Sequence, residues 1–438
     1  MSESGLECLL VSAGARAGSA DLKTFGRGLG AVKNTILGLA FAASLVLACL
    51  APSPVAAFSA STTTTKSSPA SSASSQKRIV HLHHRPVGNR QQRVIAHRRQ
   101  VARSMHYYGG PGWMGDPGAG DDIAGEDAVI RQAAISALGA LNGSVVVLDP
   151  NTGRILSVVN QKLALTGAFT PCSTFKTVVA TAGLEEGIIT PETRLRAEPR
   201  FLSYFGTNRI NVAQALAESS NEFFAKVGEM LGFTRVTEWA KRFGLGERAG
   251  LDIPGESPGV FPVAPPRQGG VGLLTSFGQD IEMTPLQLAA IVSAIANGGT
   301  LYYLQYPRTP AEIADFQPRV RREISEAVPY LAGVKQGMAA SVLYGTSKLA
   351  FNPDEQIFGK TGTCSENGTH LRWFASFSSE QKPDRVIVVL LRGEGSMFGL
   401  HAPEVAGKIY REMIATAKAG TQASSLVPAA ATPGAVVW

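Results

Sequence analysis

Two groups of β-strand patterns lie far apart in this chain and constrain its fold more than any other feature. A hairpin is predicted where β-branched runs at residues 144–148 and 154–159 bracket residues 149–153, whose sequence Asp-Pro-Asn-Thr-Gly is typical of a turn. Three more strands are predicted much later in the chain, at residues 356–363, 372–377 and 385–392. Because both groups need partners, we expect one antiparallel sheet that is joined by long-range pairing.

The chain between the two strand groups, over residues 171–300, has mainly helical patterns. A last amphipathic helix is predicted at residues 403–417, with apolar side chains at Val405, Ile409 and Met413. The predicted fold class is therefore α+β. It consists of a five-stranded antiparallel sheet flanked by helices, together with an all-helical lobe that the middle of the chain forms.

The N-terminal residues 1–58 have the pattern of a signal peptide or a membrane anchor. An apolar run at residues 36–51 follows several basic residues and precedes Val55-Ala56-Ala57, small residues that suit a cleavage site. The run is short for a membrane span and slightly long for a signal-peptide core, so cleavage and anchoring both stay open. Either alternative predicts that the rest of the chain is exported from a bacterial cytoplasm to the periplasmic face of the membrane or the cell envelope.

Residues 59–124 are predicted to be a disordered Ser/Thr-rich tether, a basic arm and a Gly-rich linker. The formal net charge of +7 belongs to the arm, since residues 77–103 contain eight Lys or Arg and no acid. An exported basic arm favours anionic lipid or cell-wall polymer over nucleic acid. Its histidines have no accompanying carboxylate or cysteine, so no metal site is expected. The folded domain is predicted at residues 125–418, and residues 419–438 as a disordered tail.

Ser173 and Lys176 place a hydroxyl and an amine three positions apart, on one face of a helix that Pro171 can begin. The positive potential of a helix N-terminus suits a developing oxyanion. A lysine that its surroundings keep neutral can accept the serine proton during attack on a carbonyl. The pattern is weak alone, because Ser-x-x-Lys also occurs on ordinary solvated helix faces.

Two further motifs are weak in isolation. Ser219 and Asn221 lie between two helical stretches, where they offer a hydroxyl for proton relay and an amide for a substrate peptide bond, although Ser and Asn also serve as helix caps. Lys360-Thr361-Gly362 lies on the first late strand. It supplies a positive charge, a hydroxyl and a residue that allows close backbone approach. The alternative for the Lys360-Thr361-Gly362 motif is an ordinary edge strand.

Together and in this order, the three motifs resemble the penicillin-binding protein and β-lactamase set. The chain is similar to the transpeptidase domain of penicillin-binding proteins over about residues 143–413, including residues 243–256, 278–289 and 373–377. Asp280 departs from the family pattern, which usually has Gly at this position. The resemblance implies a β-lactamase/transpeptidase-like fold, a serine-type D,D-transpeptidase or D,D-carboxypeptidase activity on peptidoglycan, and no metal or organic cofactor.

The resemblance also implies a role for each motif residue. Ser173 is expected to be the acylated nucleophile, Lys176 its proton acceptor and Ser219 the proton relay to the leaving group. Asn221 is expected to hold the acyl donor. Lys360, Thr361 and Gly362 would bind the terminal carboxylate of a D-Ala-D-Ala stem peptide or of a β-lactam antibiotic. The backbone N–H groups of Ser173 and Thr363 would form the oxyanion hole.

Three alternatives stay open at this point. A serine β-lactamase would need a deacylating base, for which Glu256 is the candidate, although Glu256 also fits a structural role that the transpeptidases share. A non-catalytic penicillin sensor would need an output domain or several membrane spans. A cell-wall-binding protein would not need three intact motifs.

The resemblance also implies that Cys172 and Cys364 form a disulfide. Carbapenem-hydrolysing β-lactamases of class A have a disulfide at the matching positions, whereas penicillin-binding proteins usually have small residues there. An exported compartment favours the oxidised state. The alternative is a pair of neighbouring reduced core cysteines.

Overall fold

The computed structural model describes residues 116–251, 253–324, 327–379, 383–393 and 401–425. The signal or anchor predicted at residues 1–58, the tether and basic arm up to residue 115, and residues 426–438 of the predicted tail lie outside the described residues. Among the described residues, no helix is both long and apolar enough to cross a membrane.

The described chain contains nine strands in three sheets. The strands are β1 (Gly143–Leu148), β2 (Ile155–Val159), β3 (Leu195–Arg196), β4 (Arg209–Ile210), β5 (Thr300–Tyr302), β6 (Val320–Glu323), β7 (Ile357–Glu366), β8 (Thr369–Ser378) and β9 (Val386–Gly393). The main sheet has the order β2-β1-β9-β8-β7, and all of its described neighbours are antiparallel. The predicted five-stranded antiparallel sheet is therefore confirmed.

Helices account for most of the remaining elements. They are α1 (Ala128–Leu138), α2 (Gln161–Thr166), α3 (Lys176–Glu185), α4 (Phe201–Phe205), α5 (Val212–Ala217), α6 (Asn221–Arg242), α7 (Gly270–Phe277), α8 (Pro285–Asn297), α9 (Pro310–Ala314), α10 (Val328–Leu343) and α11 (Ala402–Ser425). Two short 3₁₀ helices, Cys172–Phe175 and Lys348–Ala350, complete the set.

The central pairing joins the two ends of the domain. Strand β1 pairs with β9 along its whole length, from Gly143 opposite Leu391 to Leu148 opposite Val386. Successive side chains of a strand point to opposite faces, and both faces of this sheet are buried. Val146 and Leu148 contribute to the core that the helical middle of the chain covers. Val145 and Val147 contribute to the second core, which α1 and α11 cover.

The helical lobe is assembled by local signals that the sequence carries. Helix α8 begins with a capping box, in which Thr284 and Gln287 satisfy each other's backbone N–H groups, and with Pro285 at its first turn. The long helix α6 contains Gly232 at φ 77°, where two helical segments are joined by a kink. Helix α8 packs against β1, β8 and β9, which places this part of the helical lobe against the face of the sheet that contains Val146.

The folded part of the chain begins earlier than the boundary that composition suggested. The prediction ended the disordered linker at residue 124, but Asp121 accepts hydrogen bonds from the backbone N–H groups of Asn160 (2.9 Å) and Gln161 (2.8 Å). Arg131 of α1 forms ion pairs with Asp121 (3.0 Å) and Glu126 (2.8 Å). Residues 116–126 are therefore part of the body. Helix α11 likewise continues to Ser425, beyond the predicted end at residue 418.

Arg131 is expected to be a strong contributor to stability, because its partners are buried. The side chains of Asp121 and Glu126 are 4% and 1% exposed, so replacement of Arg131 by Met leaves two buried carboxylates without their cation. We expect Arg131→Met to lower the free energy of unfolding by about 3–5 kcal/mol. Urea denaturation measures this change.

Lys226→Ala is the matched control, since Lys226 pairs with Glu229 where both side chains are more than half exposed. Loss of that pair should cost less than about 1 kcal/mol. Equal effects of the two substitutions would contradict the stabilising role of the buried group.

Candidate active site

The segment that carries Ser173 forms a tight turn before helix α3. Residues Cys172–Phe175 are a 3₁₀ helix, and the α-helix begins at Lys176. Cys172 has φ 52°, in the left-handed region that residues other than Gly rarely adopt. The Thr174 hydroxyl donates to the Pro171 carbonyl at 2.7 Å. Ser173 is 8% exposed and lines a cavity of about 260 Å³.

The Ser173 turn lies directly against strand β7. A disulfide joins Cys172 to Cys364, with the two Cα atoms 5.7 Å apart, which is the pairing that the family resemblance implied. A Cβ atom on Gly362 would lie 2.8 Å from the Pro171 carbonyl oxygen and 3.0 Å from Thr174 Cγ2. Only Gly therefore permits this approach at position 362.

Strand β8 and helix α7 hold the same turn from two other sides. The Trp373 indole N–H donates to the Thr170 carbonyl at 2.9 Å. At the end of α7, a Cβ on Gly278 would lie 2.7 Å from Pro171 Cγ. The neighbouring Asp280 has φ 64°, a left-handed conformation. The usual Gly at this position thus matches a backbone requirement, which Asp meets at lower steric cost than most residues.

The Ser219–Asn221 turn lies between α5 and α6, as the sequence predicted. Ser219 has φ 56°, and the Ser220 hydroxyl caps helix α6 by accepting from the Phe223 N–H at 3.2 Å. Glu198 fixes this turn, because its carboxylate accepts from the Ser220 hydroxyl at 2.5 Å and from the Asn221 N–H at 2.7 Å. The turn is therefore held by a carboxylate from a distant loop.

Hydrogen bonds and a nearby cation favour the ionised form of Glu198. Burial alone would raise the pKa of this carboxyl, but hydrogen bonds that include those from Ser220 and Asn221, together with the charge of Arg200, outweigh the burial and leave the pKa below its usual value.

Lys176 is fully buried and reaches the Ser219–Asn221 turn. Its amine donates to the Ser219 carbonyl oxygen at 2.9 Å and to Asn221 Oδ1 at 2.6 Å, and it lies 3.3 Å from Ser219 Oγ. Burial lowers the pKa of the Lys176 amine well below its usual range, and the charge of Lys360 lowers this pKa further. A neutral amine has two N–H groups, which the two short contacts use, and one lone pair that can accept a proton.

Lys360 approaches the same hydroxyl from β7. Its amine lies 2.9 Å from Ser219 Oγ and donates to the Thr361 carbonyl oxygen at 2.9 Å. Burial lowers the pKa of Lys360 to about 7. The Ser219 hydroxyl therefore lies between two buried lysine amines, and this arrangement joins all three sequence motifs.

The remaining predicted site residues border the cavity that Ser173 lines. The hydroxyls of Thr361 and Thr346 are 2.8 Å apart, and Thr363 is exposed to the cavity two positions further along β7. The structure thus brings together Ser173, Lys176, Ser219, Asn221, Lys360, Thr361, Gly362 and Thr363. Among the described residues, no cluster of His, Cys, Asp or Glu could hold a metal ion.

Glu256 does not line this cavity. The residue is 3% exposed, and its carboxylate accepts from the Gly250 N–H at 3.0 Å. Glu256 thereby holds the loop that contains residues 250–256, which is the structural role that the sequence favoured.

The sequence motifs do not identify several residues of the site. Glu198 and Thr346 form hydrogen bonds with the second and third motifs. Four ionisable side chains also line the cavity: Arg200, Glu218, Arg372 and His401. Only the folded chain places these residues near Ser173, because they come from separate loops and strands.

The Cys172–Cys364 disulfide should stabilise the domain mainly through the unfolded chain. It spans a sequence separation of 192 residues, so it removes much conformational freedom from the unfolded state. We expect the double variant Cys172→Ala/Cys364→Ala to lose about 2–5 kcal/mol of unfolding free energy in urea denaturation. Dithiothreitol should destabilise the natural protein by a similar amount and leave the double variant unchanged. Identical unfolding midpoints with and without dithiothreitol would refute this prediction.

Comparison with known proteins identifies the family. The family described as "Penicillin binding protein transpeptidase domain" matches residues 143–414. Stage V sporulation protein D of Bacillus subtilis is 29% identical over 322 residues, which cover 61% of this chain and 48% of that protein. Penicillin-binding protein H of the same organism is 30% identical over 281 residues, which cover 52% of this chain and 39% of that protein. The chain thus spans about half the length, or less, of these two relatives.

Solved structures show the same fold. The structure of Pseudomonas aeruginosa PBP2 aligns with a TM-score of 0.55 at 22% identity, over 67% of this chain and 77% of that one. Penicillin binding protein 3 of Mycobacterium tuberculosis, in a complex with aztreonam, aligns with a TM-score of 0.54 at 23% identity, over 66% and 76% of the two chains. Because the family match covers more than half of the sequence and the fold agrees, this chain belongs to the penicillin-binding protein transpeptidase domain family.

Proposed function

We propose that this protein is a serine D,D-transpeptidase that acts on D-Ala-D-Ala stem peptides of peptidoglycan, and that β-lactam antibiotics acylate the same serine. One observation carries the proposal: the Ser219 hydroxyl lies 2.9 Å from the Lys360 amine and 3.3 Å from the Lys176 amine, beside the turn that carries Ser173. The activities in the names of several relatives, such as Peptidoglycan D,D-transpeptidase PbpA of Mycolicibacterium smegmatis, support the reaction class.

Acylation begins with a proton transfer from Ser173 to Lys176. The lowered pKa of Lys176 favours the neutral form of its amine, whose lone pair can accept the hydroxyl proton as Ser173 Oγ bonds to the substrate carbonyl carbon. Collapse of the tetrahedral intermediate breaks the bond to the leaving D-Ala nitrogen. Ser219, between the two amines, relays a proton from Lys176 to this nitrogen, and the products are the acyl-enzyme and D-Ala.

Strand β7 supplies the binding groups in this proposal. The amine of Lys360 and the hydroxyl of Thr361 bind the terminal carboxylate, and Gly362 lets the strand lie close to the Ser173 turn. The N–H groups of Ser173 and Thr363 hold the oxyanion. Asn221, whose Oδ1 accepts from Lys176, presents its NH₂ group to the acyl donor.

Release of the acyl group distinguishes the related activities. An amine from a neighbouring stem peptide gives a cross-link, whereas water gives D,D-carboxypeptidase activity or, with a penicillin, β-lactamase activity. Rapid hydrolysis needs a base at the acyl-enzyme. Glu256 is the only base that the sequence suggested, and its contact with Gly250 and its position away from the cavity favour the transpeptidase.

The substrate also determines where the protein must work. Peptidoglycan stem peptides are cross-linked outside the cytoplasmic membrane, so the proposal requires export to the cell envelope. We assign export, or membrane anchoring, to residues 1–58, and the tether to the residues that follow them.

Ser173→Ala should abolish covalent labelling by a fluorescent penicillin, because the Ser173 hydroxyl is the nucleophile in this proposal. Ser365→Ala is the matched control: Ser365 is an exposed serine on β7 and its hydroxyl contacts His370. We expect this control to retain labelling. Persistent labelling of Ser173→Ala in denaturing gels would overturn the proposal.

The natural protein and Ser173→Ala also serve to identify the release step. Incubation with a D-Ala-D-Ala stem peptide and an amine acceptor should yield the cross-linked mass, with loss of one D-Ala, for the natural protein alone. A penicilloyl adduct that lasts many minutes is expected. Turnover of penicillin within seconds would assign the chain to the β-lactamases instead.

The two lysines predict a bell-shaped pH dependence of acylation. The second-order rate constant should rise with pH as Lys176 loses its proton, and it should fall above about pH 7 as Lys360 loses the charge that attracts the penicillin carboxylate. Lys360→Arg keeps its charge at every accessible pH, so the alkaline fall should disappear between about pH 7 and 9 even if the maximal rate is lower. Stopped-flow acylation measures both profiles. An unchanged alkaline limb in Lys360→Arg would show that Lys360 is not the titrating group.

A further inference from the structure

The carboxylate of Glu198 contacts the Ser219–Asn221 turn but does not line the cavity around Ser173. It comes from the loop between β3 and α4. Its two oxygens have separate partners: Oε2 accepts from the Ser220 hydroxyl at 2.5 Å, and Oε1 accepts from the Asn221 N–H at 2.7 Å. Any effect of Glu198 on the reaction must therefore pass through the groups of this turn and the amine that they bind.

The amine of Lys176 is bound to the same turn. It donates to the Ser219 carbonyl oxygen at 2.9 Å and to Asn221 Oδ1 at 2.6 Å. Asn221 is thus hydrogen-bonded to both ionisable groups, with its backbone N–H to Glu198 and its side-chain oxygen to Lys176. One residue therefore connects the carboxylate to the buried amine.

The proposed acylation step converts the Lys176 amine into an ammonium ion, because this amine takes the proton of Ser173. A buried cation is unfavourable unless an opposite charge accompanies it. Burial lowers the pKa of Lys176, the cations Lys360 and Arg200 lower it further, and the carboxylate of Glu198 raises it. Of these three charged groups, only Glu198 favours the ammonium form.

Glu218 is the other carboxyl group to consider as a counter-charge, since it lines the cavity around Ser173. Burial raises the pKa of Glu218, and the cations that oppose this rise are Arg200 and Lys348. At Glu198, burial is outweighed by hydrogen bonds and by the charge of Arg200, so its pKa lies below the usual value. Glu198 therefore combines a favoured carboxylate form with contacts to the turn that binds the reacting amine.

We propose that Glu198 is the counter-charge of the ammonium ion that forms on Lys176 during acylation, a role that rests on the proposed function. In this step the O–H bond of Ser173 breaks, its proton joins the Lys176 lone pair, and Oγ bonds to the substrate carbonyl carbon. Glu198 keeps its negative charge throughout and takes no proton. The ammonium ion later returns the proton through Ser219 to the leaving nitrogen. Glu198 is thus a positioning residue that also stabilises the charge of the base.

Glu198→Gln separates the charge from the hydrogen bonds. The carboxamide oxygen can accept from the Asn221 N–H, and its NH₂ group can donate to the Ser220 oxygen, so both contacts with the turn are retained. Loss of the negative charge lowers the pKa of Lys176, so the acid limb of penicillin acylation should move to lower pH by about 0.5–1 unit. The maximal rate constant should fall about threefold or more, because a weaker base accepts the proton less readily. Stopped-flow acylation measures both quantities.

Three further variants separate charge from shape. Glu198→Asp keeps a carboxylate, so its acid limb should stay within about 0.3 pH unit of the natural protein even if its rate is lower. Glu198→Ala is a second neutral variant, which decides the question if Glu198→Gln does not fold, and its acid limb should move in the same direction. Glu222→Gln is the matched control: Glu222 is exposed in the first turn of α6, where water and salt screen its charge, so the limb should not move. Thermal unfolding shows which variants are folded.

NMR titration of isotope-labelled lysine side chains measures the pKa of Lys176 directly, without any substrate, and the spectrum of Lys176→Ala assigns its signal. The pKa should be lower in Glu198→Gln than in the natural protein. Equal pKa values in these two proteins, or an acid limb that moves as far in Glu198→Asp as in Glu198→Gln, would overturn the proposal. Failure of the proposed function appears instead as penicillin labelling of Ser173→Ala, and the NMR titration does not depend on that result.

Discussion

Two lysine amines that are buried against one serine hydroxyl form the interaction on which the site depends. Two positive charges so close together in a low-dielectric interior repel each other strongly, so at most one of them is stable. Burial lowers the pKa of both amines, that of Lys360 to about 7, and the charge of Lys360 lowers the pKa of Lys176 further. Under the proposed function, these two identical side chains serve as a base and as a cationic binding group.

This electrostatic arrangement requires three segments that the fold brings together at some cost. The Cys172 and Ser219 residues both have left-handed backbone conformations, each of which costs on the order of 1–3 kcal/mol. The surrounding contacts must offset that cost. Glu198 ties the Ser219–Asn221 turn by two short hydrogen bonds, and β7 supports the Ser173 turn through the close approach at Gly362. The long-range pairing of β1 with β9 joins the early and late strands into one continuous sheet, and β7 belongs to that sheet.

The sequence predicted the sheet and the motif residues because their signals are local. A β-branched run, a turn sequence or a three-residue spacing can be recognised without knowledge of the rest of the chain. Glu198 and Thr346 could not be found in this way, because each acts through hydrogen bonds to residues that are distant in sequence. The domain boundary was placed late for the same reason. Asp121 lies in a Gly-rich stretch of disordered composition, and only its contacts with Asn160, Gln161 and Arg131 show that this stretch is folded.

Three kinds of contact connect the Ser173 turn to the sheet. They contribute differently to the free energy of unfolding and to the geometry of the folded site. The Cys172–Cys364 disulfide restricts mainly the unfolded chain, so its effect appears in the free energy of unfolding. The steric fit at Gly362 and the hydrogen bond from Trp373 to Thr170 act in the folded state, where they determine how far the turn stands from β7. In the proposed function, the N–H groups of Ser173 and Thr363 hold the oxyanion and need a fixed separation, which is a property of the folded state. The geometry of the site therefore depends chiefly on Gly362 and Trp373, and the disulfide preserves that geometry by making unfolding less favourable.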